Sequence, residues 1–294
     1  MIPHGDPPSC HNHEEHEVSG SYGKGRAWSE VYCIRMNASY EPDIYDFITP
    51  AAVLGDLEWY RRKAQECGGP VLELGAGTGR VAIVLARDGT HVHAHDDHPE
   101  MLAVLRRKLA SEPPAVQERV VVVEGDMRTF RLDTTFALIV APFRALLHNL
   151  TEEDHLATFA RVREHLQPGG RFAFNVFHPS LEFMAHHAGA LAGVCRWSAS
   201  FPLKDGGWIV RSDANRYDTV AQRVHSLLRF EEFGADGLLK RTFLQRLELS
   251  YLYAADIRRL LERSGFRSIV IAGGFDDRPL ARDTDELVVE ASVA

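Results

Sequence analysis

Val71-Leu72-Glu73-Leu74-Gly75-Ala76-Gly77-Thr78-Gly79-Arg80 joins a short apolar strand to the start of a helix through alternating glycines. Glycine in such a loop lets a ligand approach the backbone closely. The helix that follows offers its free N–H groups and the positive end of its dipole. The spacing is G-x-G-x-G (Gly75, Gly77, Gly79), whereas the dinucleotide fingerprint is G-x-G-x-x-G. Its third glycine position holds Arg80, which speaks against NAD. Val81, Val84 and Leu85 give the helix an apolar face, and Asp88-Gly89 closes it, glycine suiting the left-handed position past a helix end.

A regular alternation runs on from there. His91 to His95 reads as a second strand, unusually rich in histidine for a buried position. Pro99 opens the next helix, where its fixed φ and missing N–H do no harm. Met101, Leu102, Leu105 and Leu109 form that helix's apolar stripe, and Arg106, Arg107 and Lys108 suit its negative end. Val120–Val123 and Phe136–Ala141 are apolar runs of the kind buried on both faces of a parallel sheet. Thr151 with Asp154 forms a capping box for a helix over 152–166, which Gln167-Pro168-Gly169-Gly170 breaks before a fifth strand over 171–177. Strands alternating with helices predict an open parallel sheet covered on both faces.

The pattern changes near residue 200. Residues 208–217, 220–233 and 238–251 read as three long strands of an antiparallel meander, with a hairpin signal at Gly234-Ala235-Asp236-Gly237. A helix over 255–264 and strands over 266–272 and 286–291 complete the α/β unit. Residues 28–67 read as helical pieces broken at Pro42 and Pro50, with Tyr32, Tyr40, Tyr45, Trp59 and Tyr60 either lining a lid or simply packing. Residues 1–27 have too few large apolar side chains to offset ordering and read as a disordered tail. Cys10, His11, His13 and His16 fall there, and a solvated tail is favoured over a metal site. The domain expectation is therefore a tail (1–27), a helical lid (28–67), a ligand-binding α/β core (68–180 and 254–294) and a β insert (181–253) roofing the substrate.

Composition excludes several classes. The 294 residues are 45% hydrophobic and 25% charged, as in an ordinary globular protein. Asp plus Glu (41) exceeds Lys plus Arg (33), a net charge of −8 that argues against nucleic-acid partners and polybasic membrane binding. No apolar run is long enough to span a membrane, and the first residues lack the order of a signal peptide. The four cysteines are scattered without a CxxC pair, which fits a reducing cytoplasm. No metal-ligand spacing stands out in the α/β core.

Two further clues accompany the glycine loop. Asp96, ending the second strand, can accept hydrogen bonds from ribose hydroxyls in an NAD or an adenosyl site, while Asp97 or His98 is better placed to cap the helix at Pro99. Asp126 in Gly125-Asp126-Met127 lies at the sheet's carboxyl edge. It can accept from an adenine amino group while Met127 packs on the ring, although Gly-Asp also makes turns.

Taken together, Val71–Arg80, Asp96 with Pro99-Glu100-Met101-Leu102, Gly125-Asp126-Met127 and Leu166-Gln167-Pro168-Gly169-Gly170 resemble the class I S-adenosylmethionine-dependent methyltransferases. Finer similarity points to small-molecule enzymes of the glycine, aminosugar and peptide N-methyltransferase kind, which carry a comparable β-meander. The resemblance implies a Rossmann-like seven-stranded sheet whose last strand is antiparallel, and S-adenosyl-L-methionine as cofactor. It implies that Glu73 and the loop Gly75, Ala76, Gly77 and Gly79 hold the methionine part. Asp96, with Asp97 and Met101 nearby, would bind the ribose side, and Asp126 and Met127 the adenine. Ala141-Pro142-Phe143-Arg144 would stand beside the sulfonium, and Tyr45 would close over the cofactor.

Methyl transfer from a sulfonium is an in-line displacement that depends mainly on positioning. His148, after the fourth strand, is a candidate general base or a histidine bonded to backbone. His178 is a second candidate base. Arg144 is expected either to fork a substrate carboxylate or to form a surface ion pair. Asp276, Asp277 and Asp283 can attract a cationic amine or form an ordinary acidic loop. The favoured function is methyl transfer to a small metabolite, an amine ahead of a hydroxyl. The alternatives are an adenosylmethionine-binding protein without transfer and an NAD-dependent oxidoreductase. A homodimer through the edges of the meander is open.

Overall fold

The computed structural model describes residues 34–37, 42–48 and 55–293. The tail and its histidines lie outside the described residues. In chain order the first elements are β1 (Ile34–Asn37), α1 (Pro42–Ile48), α2 (Leu57–Cys67), β2 (Val71–Leu74), α3 (Ala82–Arg87), β3 (Val92–Asp96) and α4 (Pro99–Leu109). Next come α5 (Pro114–Gln117), β4 (Val120–Glu124), β5 (Phe136–Ala141), α6 (Glu152–His165), β6 (Leu166–Phe177) and α7 (Leu181–Ala185). The chain continues through β7 (Arg196–Pro202), β8 (Trp208–Asp218), β9 (Arg223–Phe233) and β10 (Leu239–Ser250), then α8 (Ala254–Arg263), β11 (Ser268–Ala272) and β12 (Glu286–Ser292).

Seven strands form one sheet in the order β11-β12-β6-β5-β2-β3-β4. β4, β3, β2, β5 and β6 run parallel, and β12 lies antiparallel between β6 and β11, as expected. All four residues of β2 are buried, because helices cover both faces. On one face Leu72, Leu74, Phe172 and Phe174 pack with Phe159 of α6 and Leu260 and Leu261 of α8. On the other, Val71, Leu138 and Val140 pack with Trp59 and Tyr60 of α2 and Leu102 and Leu105 of α4. The capping box at Thr151 is formed, with Asp154 N–H donating to Thr151 Oγ1 at 3.1 Å.

The histidines of β3 do not disturb its burial. His95 is 1% exposed, and its ring lies 5.3 Å from that of Phe130 with neither nitrogen hydrogen-bonded. Burial pushes the pKa of His93 and of His95 below the usual histidine range. Neutral imidazoles thus serve here as aromatic packing units.

The second sheet has the order β1-β10-β9-β8-β7, so it is wider than the three-stranded meander expected. β8, β9 and β10 match the three expected strands closely, while β7 and β1 were not anticipated. β7 (Arg196-Trp197-Ser198-Ala199-Ser200-Phe201-Pro202) is half polar and lies at an edge, so it lacks a clean alternation. β1 has only four residues and runs parallel to β10, from Ile34 opposite Thr242 to Asn37 opposite Gln245. A partner two hundred residues away sets its conformation, against the helical reading of 28–67. Pro42 does not break a helix either. It begins α1, where a missing N–H costs nothing. Ile48 of α1 packs under Ile209, Leu228, Phe230 and Phe243 of this sheet.

Candidate active site

A cavity of about 380 Å³ lies between the carboxyl edge of the seven-stranded sheet and the strand β10 above it. Its floor is the glycine loop at Gly75 and Gly77, and one side is Asp96, Asp97, His98 and Met101. Met127, Pro142, Phe143, Ala145, His148 and Leu150 form the other side, with Tyr45 and residues 246–248 above.

The loop is built by close contacts. Gly75, Gly77 and Gly79 all have left-handed φ, at 71°, 55° and 80°. A Cβ on Gly75 would stand 2.5 Å from Ala145 Cβ, and one on Gly77 would stand 3.4 Å from Met101 Cε. Gly77 N–H donates to Asp96 Oδ2 at 2.8 Å, and His98 N–H donates to Asp96 Oδ1 at 2.8 Å. Asp96 therefore braces both the loop and the start of α4. His98 stands at the N-cap position before Pro99, as expected, although its side chain makes no cap bond. Burial raises the Asp96 pKa, and the two N–H donors oppose that rise. Each carboxylate oxygen keeps a lone pair for a hydroxyl donor.

Glu73 lies beneath the loop, 2% exposed, and its Oε2 has no hydrogen-bond partner. Desolvation pushes its pKa up to about 8, against the pull of Arg80. A buried carboxyl with an unused oxygen is a place where a cationic ligand group recovers lost solvation. Arg80 forks Asp56, at 2.7 and 2.6 Å, and Asp56 is fully buried. That ion pair explains a long cation where the dinucleotide pattern needs glycine.

Helix α1 is tied to the glycine loop and to α4. Asp46 of α1 accepts from Thr78 Oγ1 at 2.5 Å and from Lys108 Nζ at 2.8 Å, which sets Tyr45 in the cavity wall. His148 ends a short 3₁₀ turn over Ala145–His148. The side chain is exposed and lines the cavity, and loss of solvation holds its pKa below the usual histidine range against the opposing charge of Asp97.

Tyr45, Gly75, Gly77, Asp96, Asp97, Met101, Met127 and His148 are thus brought together, and Glu73 lies directly below them. Other candidates are placed elsewhere. Ala76 is buried, its N–H bonded to His95 O at 3.0 Å, and Ala141 is a fully buried strand residue opposite Phe174. Gly79 faces α4 rather than the cavity, because an added Cβ would collide with Leu105. Asp126 is forked by Arg128, with Nε at 2.9 Å from Oδ1 and Nη2 at 2.5 Å from Oδ2. That guanidinium occupies the acceptor atoms proposed for adenine. Arg144 forks Glu286, at 3.0 and 2.7 Å, so the ion-pair alternative describes it and not the substrate fork. His178 Nδ1 lies 3.1 Å from Asp283 O, outside the cavity wall.

The carboxylates of the acidic loop are engaged by protein groups. Asp277 takes Trp59 Nε1 at 2.7 Å and Arg62 at 2.5 Å, Asp276 takes Arg278 at 3.0 Å, and Ser180 donates to Asp283 at 3.1 Å. Ala145, Leu150, Arg246, Leu247 and Glu248 line the cavity without having been singled out in the sequence, and the place of the last three depends on β10 crossing over the sheet edge, which no local pattern announces.

Residues 71–170 match a family model described as a methyltransferase domain. The cypemycin N-terminal methyltransferase of Streptomyces sp is 25% identical over 262 residues, covering 85% of this chain and 97% of that relative. The CcbJ methyltransferase from Streptomyces caelestis superposes with a TM-score of 0.68 at 26% identity, covering 86% of this chain and 96% of that one. The glycopeptide N-methyltransferase MtfA complexed with S-adenosyl-L-methionine gives a TM-score of 0.50 at 26% identity, covering 80% of this chain and 87% of that one.

Proposed function

We propose that the chain, a class I S-adenosylmethionine-dependent methyltransferase by its similarities, methylates an amine of a small molecule or peptide. The observation that carries the amine is the pair of N-methyltransferase relatives, one acting at an N-terminus and one on a glycopeptide by name, aligned over most of this chain.

The cavity fits S-adenosyl-L-methionine. Glu73, with its unpaired buried oxygen, and the Gly75–Gly77 loop are suited to the amino-acid end, and Asp96 to the ribose hydroxyls. Met101 and Met127 supply soft apolar surface for the base. When bound, the cofactor supplies an electrophilic methyl group on a cationic sulfur. The chain's part is to hold, orient and exclude water. His148 stands beside Asp97 at the nucleoside end, so we assign it first to holding the cofactor. Its depressed pKa favours the neutral imidazole, whose free ring nitrogen can accept a hydrogen bond.

The proposal also includes a cytoplasmic setting, in keeping with free Cys67 and Cys195, and no nucleic-acid partner, in keeping with the charge of −8. No helix among the described residues is long and apolar enough to cross a membrane. A homodimer would use an open edge of the second sheet, and sedimentation reads its mass directly.

Methyl-labelled cofactor incubated with N-terminal peptide amines, aminosugars and matched hydroxyl compounds tests the acceptor. Label on the amines is the expected result, and label confined to hydroxyl compounds overturns the amine. No label anywhere, from protein that binds the cofactor, favours a binding role without transfer.

A further inference from the structure

The turn after β5 is held in a conformation that its residues disfavour. Phe143 and Arg144 both have left-handed φ, 53° and 67°, and neither is glycine. Such a pair persists only where the surroundings impose it. Asn175, fully buried in β6, does so. Its Oδ1 accepts from Phe143 N–H at 2.9 Å and from the Tyr60 hydroxyl at 2.8 Å, and its Nδ2 donates to Glu286 Oε1 at 2.7 Å. Glu286, at the start of β12, in turn forks Arg144, whose guanidinium lies 5.4 Å over the Phe177 ring. Both ends of one buried amide are engaged, so the group cannot flip without breaking a bond.

The turn has a direct consequence for the cavity. Pro142 and Phe143 are part of its wall, and Ala145, just past the turn, abuts Gly75 of the glycine loop. The Arg80 guanidinium lies 5.3 Å over the Phe143 ring, so that side chain is gripped as well as its backbone. Asn175 itself does not line the cavity. We infer that Asn175, together with Glu286, is a positioning residue for the cofactor: it locks the left-handed Phe143–Arg144 turn and so sets the wall that faces Gly75 and Gly77.

The test is calorimetric titration of S-adenosylhomocysteine into wild type, Asn175→Ala and Glu286→Gln, with a thermal melt of each. No methyl acceptor is needed, so the outcome is independent of the amine assignment. Asn175→Ala leaves the Phe143 N–H and the Tyr60 hydroxyl without an acceptor, and affinity is expected to fall about ten-fold or more. Glu286→Gln can keep one oxygen as acceptor for Asn175 Nδ2 and Arg144 Nε, but it loses the charge and the acceptor for Arg144 Nη2, and is expected to weaken binding by about three- to five-fold at a near-normal melting temperature. A merely structural role would lower the melting temperature and leave affinity unchanged in folded protein, and that result overturns the inference. If Asn175→Ala does not fold, Glu286→Gln decides: weakened binding supports the inference, and wild-type binding overturns it.

Discussion

Gly79→Ala separates two roles that a glycine in this loop can have. If Gly79 served the cofactor, a methyl group there would block binding and leave the apo protein sound. The structure assigns it to packing instead. Its φ is 80°, and an added Cβ would lie within contact distance of Leu105 Cδ1, 3.2 Å from Leu105 Cγ and 3.4 Å from Ile83 Cδ1. Leu105 is fully buried, so it has little room to move. A left-handed non-glycine residue costs about 1–2 kcal/mol, and overpacking a closed core site costs about 1–3 kcal/mol more. The sum of about 2–5 kcal/mol corresponds to a fall in melting temperature of roughly 4–20 °C for a domain of this size.

Gly89→Ala is the internal control. Its φ is 99°, but nothing lies within 4 Å of an added Cβ, so it carries the strain without the crowding. The expected order of melting temperatures by circular dichroism is wild type, then Gly89→Ala, then Gly79→Ala. S-adenosylhomocysteine should still bind Gly79→Ala below its melting point. A Gly79→Ala protein that melts with Gly89→Ala refutes the packing role. A protein that melts like wild type but has lost the ligand restores the cofactor role.

Three further outcomes follow from the site. Glu73 ionises near 4.5 when exposed but near 8 when folded, so the native state holds its proton more tightly than the unfolded chain. Its contribution is best below pH 4.5 and worsens as pH rises towards 8. Glu73→Gln should therefore gain stability over apo wild type between pH 5 and pH 8, read by urea unfolding, while binding the cofactor more weakly; a gap that does not widen with pH rejects the burial argument. His148→Ala should weaken S-adenosylhomocysteine binding as well as turnover. Lost turnover at full affinity would instead make His148 a base acting on the acceptor. Asp56→Asn leaves the Arg80 guanidinium, 17% exposed, without its carboxylate, and should cost about 3–5 kcal/mol in a denaturant titration.

What the sequence disclosed and what it withheld divide by the distance to the deciding partner. The strand, glycine loop and helix from Val71 to Arg87 are fixed by neighbouring residues, and Asp96 braces Gly77 from only 19 positions away. Those features were legible as a set of short motifs. Gly79 looked like one more member of the loop, yet its constraint is Leu105 on another helix.

Arg144 and Asp126 show the same division among charged groups. Both follow strands at the carboxyl edge of the sheet, yet neither lines the cavity. Whether such a side chain faces ligand or protein depends on who claims it first. Arg128, two residues on, claims Asp126, and Glu286, 142 residues on, claims Arg144. The near partner was available to sequence reasoning, since Asp-x-Arg can close on itself, while the far one was not. β1 and β10 follow suit, because a four-residue strand carries too little pattern to announce a partner at Thr242. The motifs therefore locate the floor of the cavity well and its upper walls poorly. That floor is local, whereas the walls above it, Tyr45, Phe143 and residues 246–248, come from segments that meet only after folding.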